Sequence, residues 1–94
     1  MIGGSQSSQQ SRRLPLGHAP RGFRGRIDVV QVSDETSGLP APELETRLVE
    51  LGFTEGALVE ILHEGLFGRD PIAVRINDAT VALRRREAMA IFVI

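Results

Sequence analysis

Beyond residue 54 the chain alternates short β-branched apolar runs with tight Gly, Pro and Asn punctuation, and the connections between runs are too short for crossover helices. Parallel neighbours need a crossover of a dozen or more residues, so consecutive runs must pair antiparallel. In the first run, residues 57–64, Val59 and Ile61 alternate with Leu58, Glu60 and Leu62. The second, residues 71–76, carries its proline only at the start, where no interior ladder bond is lost. Asn77-Asp78 then makes a two-residue hairpin turn, since both side chains tolerate positive φ. Residues 79–83 return as a strand, residues 84–88 form one helical turn, and residues 91–94 close the sheet.

A helix precedes this array. Leu39-Pro40-Ala41-Pro42 places a proline near the first turn, where its missing N–H costs little. Glu43 and Glu45 suit the positive end of the helix dipole, and Leu44, Leu48 and Leu51 recur at helical spacing as one apolar stripe. Gly52 follows as a left-handed cap, which lets Phe53 fold back onto the core.

Upstream, residues 26–32 read as a first strand with valines on both faces, which calls for a bulge or bend near Val30. Residues 33–38 form a polar loop holding Asp34 and Glu35. Residues 1–11 are Gly, Ser and Gln with almost nothing to bury, and disorder is expected there. Residues 14–25 are rich in Pro and Gly, an extended segment laid over the barrel at most. The reading is therefore a flexible basic tail, residues 1–24, and a mainly β domain, residues 25–94. That domain is a small SH3-like barrel of about five antiparallel strands with one inserted helix.

Composition narrows the function classes. No cysteine is present, which removes disulfides, thiolate metal sites and thiol catalysis together. All eleven basic side chains are arginine, so lysine Schiff-base chemistry is impossible. No P-loop and no Ser/His/Asp arrangement can be placed, and an enzyme is not expected. The longest apolar run, residues 88–94, is far too short for a bilayer, and no signal-peptide core opens the chain, so a cytoplasmic location is expected. Residues 1–26 hold Arg12, Arg13, Arg21, Arg24 and Arg26 without an acid, whereas the remainder has more acids than arginines. Such a tail is either solvated or a weak arm for an anionic surface or acidic partner.

These segments together resemble the FeoA family. Its pattern runs from a helix ending R-L-x-x-L-G-hydrophobic-T-x-G, through a G-D-P loop, to hydrophobic-A-L-R-R-x-x-A. Here the pieces stand in order as Arg47-Leu48 to Leu51-Gly52-Phe53-Thr54-Glu55-Gly56, then Asp70-Pro71, then Val81-Ala82-Leu83-Arg84-Arg85 to Ala88. Three positions depart from it: Phe67 precedes the glycine of the loop, Arg69 is inserted between Gly68 and Asp70, and Asp78 stands at the hairpin position where glycine is common in the family. The resemblance implies a non-enzymatic accessory or regulatory component of bacterial ferrous iron uptake. Its implied partner is FeoB, a membrane transporter with a cytoplasmic GTP-binding domain. Related barrels end iron- and manganese-dependent repressors, so a metal-responsive module that itself binds Fe²⁺ or Mn²⁺ is the second reading.

The candidate partner-binding residues are Leu66, Phe67, Arg69, Arg85 and Arg86. Leu66 and Phe67 lie between two glycines, in what reads as the most irregular loop of the core, residues 65–71. They either close one end of the barrel as a lid or stand out as a protein contact. Arg84-Arg85-Arg86 serves either a partner face or internal pairing with Glu87 and nearby carbonyls. A third reading, a nucleic-acid-binding barrel, lacks interleaved aromatics near those arginines, and no nucleic acid is expected as partner. Arg47 is either solvated or paired with Glu43, Glu50 or Asp70. For a metal, His63-Glu64 is the best local pair, but adjacent strand residues point to opposite faces; His18 sits in the Pro/Gly segment. No metal site and no cofactor is expected.

Overall fold

The computed structural model describes residues 13–32 and 41–94. The tail of residues 1–11, the loop with Asp34 and Glu35, and the helix lead-in at Leu39-Pro40 lie outside the described residues. The chain runs through β1 (Leu14–Pro15), a 3-10 turn (Leu16–His18), β2 (Arg24–Val30) and α1 (Ala41–Glu50). It continues with β3 (Leu58–Phe67), β4 (Asp70–Ile76), β5 (Ala79–Leu83), α2 (Arg85–Ala88) and β6 (Ile91–Val93). Every strand pairing is antiparallel, in the order β1-β6-β2-β3-β4-β5. This is the mainly β, SH3-like barrel with one inserted helix that the sequence indicates, with six strands in place of five.

Strand β2 makes the corner of the barrel. Arg24, Gly25 and Arg26 pair with β3, whereas Ile27, Val29 and Val30 pair with β6. The register shift between Ile27 and Val29 is the expected bulge, two residues earlier than the valine pattern placed it. An extra residue at Asp28 turns the strand sharply enough to change partners, and that closes a small barrel.

The alternation then follows the pleat. Val59 and Ile61 of β3, Ile72, Val74 and Ile76 of β4, and Ile91 and Val93 of β6 are buried. Leu44 and Leu48 are fully buried on one face of α1. Gly52 ends that helix at φ 103°, with its N–H on the Val49 carbonyl and the Phe53 N–H on the Leu48 carbonyl. These two bonds satisfy carbonyls of the last turn and swing the fully buried Phe53 ring under the helix.

Two expectations change. The folded portion begins well before residue 25: Leu14 and Pro15 pair with Val93 and Phe92, and Leu16 and Ala19 are fully buried in the core. Burying a leucine contributes about 1.5–3 kcal/mol, so this segment is structural and not a tail. Residues 65–71 are also not an irregular loop. β3 runs on through Phe67, β4 starts at Asp70, and Phe67 pairs with Asp70 across a two-residue turn.

Candidate partner-binding site

The long β3–β4 hairpin positions the candidate residues. Its turn residues Gly68 and Arg69 take φ of 68° and 62°. Two successive left-handed residues match the right-handed twist of a hairpin, which is why so short a turn can join these strands. Arginine in that region costs on the order of 1–2 kcal/mol. At Gly65 a Cβ would overlap the Asp70 carbonyl, so only glycine lets the strands close at the irregular pairing between Glu64 and Phe67.

Arg85, the first residue of α2, clamps the base of this hairpin. Its backbone N–H donates to Asp70 Oδ1 at 2.8 Å and its Nε to the Arg69 carbonyl at 2.8 Å. One terminal nitrogen donates to the Gly17 and Ala19 carbonyls at 3.0 and 2.8 Å, and the other meets Glu64 Oε2 at 3.3 Å. A planar guanidinium with five fixed donors suits such a convergence, which a single ammonium could not match. Gly17 belongs to the same joint, since a Cβ there would overlap the Arg85 carbonyl. Glu87 works beside it, accepting from the Arg84 N–H at 3.0 Å and from Arg47 at 2.9 Å. The partner of Arg47 is thus Glu87, not Glu43, Glu50 or Asp70.

Leu66 and Phe67 stand on the clamped hairpin with 94% and 89% of their surface exposed. They are no lid on the barrel. They end β3 beside the irregular pairing of the hairpin, so the tip presents apolar surface to solvent. Arg69 is exposed at the turn and Arg86 on α2, and neither has an ion-pair partner among the described residues. Arg85 differs from the other four candidates, because its side chain is only 18% exposed and its donors are engaged within the molecule. Glu64 and Asp70, which hold Arg85 in place, were not legible as a group, because they lie 21 and 15 residues from it without any period.

Glu64 is committed to Arg85, and His63 beside it is exposed. Among the described residues no three His, Asp or Glu side chains gather as a metal site, and no helix is long and apolar enough to cross a membrane.

The model of the FeoA domain family matches residues 14–94. Iron(II) transport protein A of Clostridium thermocellum is similar in structure at 32% identity and a TM-score of 0.69, over 85% of this chain and 44% of that one. The FeoA protein of Chlorobium tepidum is similar at 30% identity and a TM-score of 0.69, over 85% of this chain and 68% of that one. FeoA of Stenotrophomonas maltophilia, an SH3 domain protein crystallised with zinc, matches at 28% identity and a TM-score of 0.66, over 83% and 86% of the two chains. No curated protein matches by sequence.

Proposed function

The chain belongs to the FeoA family, and from that premise we propose that it is a non-enzymatic accessory component of ferrous iron uptake that docks on a FeoB-like membrane transporter. The observation that carries the docking mode is the pair Leu66 and Phe67, held in solvent on a hairpin that Arg85 fastens to the barrel. Large apolar side chains exposed on a rigid support lose little conformational freedom on binding, and burying each contributes about 1.5–3 kcal/mol. Arg69 and Arg86 supply charge at the rim. Arg85 acts in this reading as a positioning residue that fixes the angle of the hairpin and does not meet the partner itself. The protein works in the cytoplasm, peripheral to the membrane at most.

The test is an anaerobic amide NMR titration of the full chain with the soluble GTP-binding domain of the cognate transporter, and separately with Fe²⁺. Shifts clustered at residues 65–71 with the domain are expected, and Leu66→Ala with Phe67→Ala should weaken binding at least about tenfold. Unchanged affinity in that double variant would sink the hairpin as docking surface. Saturable shifts around His63 with Fe²⁺ would favour the metal-responsive reading.

A further inference from the structure

At the opposite end of the same hairpin, some nine residues of β3 and about 25–30 Å from Phe67, lies an open groove of about 590 Å³. Strand register gives it a defined face. Arg24, Glu60 and Arg75 stand in one row across β2, β3 and β4, and Arg26 stands beside Leu58 in the next. Their neighbours Val59 and Ile76 turn inward and are buried, so all five of these side chains face outward into the groove.

The charges there are under-used. Arg75 has no ion-pair partner among the described residues, and the Arg26 guanidinium donates to the Gly56 carbonyl, at 3.0 Å, without an acid beside it among them. Arg24 meets Glu60 at 4.0 Å, the outer limit of an ion pair, with its own side chain 79% exposed. Leu58, at 60% exposed, is an apolar spot beside Arg26, and the lining sets the two acids Glu60 and Asp78 against the three arginines. The groove-lining residues include no aromatic, which removes the surfaces that stack bases or grip proline-rich helices. Arg24 comes from the stretch read from the sequence as a flexible tail, residues 1–24; in the fold it opens β2 and is part of the barrel wall.

We propose that this groove is a second docking surface, distinct from the hairpin tip, for an acidic peptide segment in extended conformation. Arg24 and Arg26 lie two apart on one strand face, a separation of about 6.5–7 Å. Carboxylates at alternate positions of an extended peptide repeat at the same distance, so each can take one guanidinium fork. An apolar side chain of the peptide covers Leu58. Glu60 acts against the ligand, since it sits between Arg24 and Arg75 and competes for the same guanidinium groups. The chain would then carry one contact at each end of the β3–β4 hairpin.

The test uses the full chain and a labelled ten-residue peptide of alternating Glu and Leu, with its Lys–Leu counterpart, inorganic phosphate and phosphatidylserine vesicles as comparisons. Saturable binding of the Glu peptide with amide shifts at Arg24, Arg26, Leu58 and Arg75 is expected, weakening as salt rises. Arg24→Ala with Arg75→Glu should reduce affinity at least about tenfold, whereas Glu60→Gln should tighten it severalfold. Phe67→Ala should change nothing, which separates this groove from the hairpin-tip reading. Equal binding of the Lys peptide, no response to Glu60→Gln, shifts elsewhere, or capture by vesicles or phosphate without peptide binding would each overturn the proposal.

Discussion

Arg85 shows how one side chain can hold distant segments together. Its guanidinium joins the N-terminal segment, through Gly17 and Ala19, to Glu64 and to the hairpin turn at Arg69. Removing it leaves those carbonyls and the Glu64 carboxylate partly buried without a donor, the costly half of any hydrogen-bond deletion. Arg85→Ala should therefore destabilise the protein by about 2–4 kcal/mol. Arg85→Lys should recover less than half of that, because an ammonium cannot reproduce the fork. Urea unfolding midpoints read both values. Arg86→Ala, one residue on and exposed, should stay within about 0.5 kcal/mol of the parent. The Arg-Arg pair was visible in the sequence as a unit. Its division into one internal strap and one surface charge was not, since the four acceptors of Arg85's side chain lie on three other segments.

At the scale of elements, the β3–β4 hairpin is longer than its hydrophobic pattern suggests. Buried alternation stops near Ile61 in β3, but pairing continues to Phe67. Glycines at 65 and 68 read as loop punctuation, yet Gly65 serves close strand approach and only Gly68 belongs to the turn. Gly65→Ala should cost about 1–3 kcal/mol, because the strand must move away from Asp70. Phe67→Ala, in contrast, removes a ring that touches little and should shift the unfolding midpoint by less than about 0.5 kcal/mol. Together the two variants separate a strained strand from a loop: if Gly65→Ala proved neutral, the tight pairing there would be wrong. Helix α1 was the more legible element, since the Leu44 and Leu48 spacing and the Gly52 cap act within a few residues of one another.

For the molecule as a whole, the first folded residues matter as much as the last. Leu14 and Pro15 extend the sheet beyond β6, and Leu16 and Ala19 fill the core beneath α2. Deleting residues 1–12 should leave the unfolding midpoint unchanged within error. Deleting residues 1–24 should remove a buried leucine, a sheet edge and two acceptors of Arg85, and cost at least about 4 kcal/mol, enough to unfold a domain of this size. Circular dichroism and urea melts of the two truncations decide it; a cooperative fold in the longer deletion would restore the boundary at residue 25.

What the sequence determined by itself was local. Antiparallel pairing followed from connections too short for a crossover, the turn at residues 77–78 from Asn77, which takes the positive φ its side chain tolerates, while Asp78 does not, and the buried face of α1 from helical spacing. Each depends on neighbours within one turn or one hairpin, and periodicity records such constraints. Tertiary structure alone decided that a Pro/Gly-rich lead-in is core, that Arg85 is a strap, and that Arg24, Arg26 and Arg75 share a face with Leu58. Those outcomes rest on contacts between residues up to 68 positions apart. No period or local propensity encodes them, because they arise only when the barrel closes and brings its two ends together.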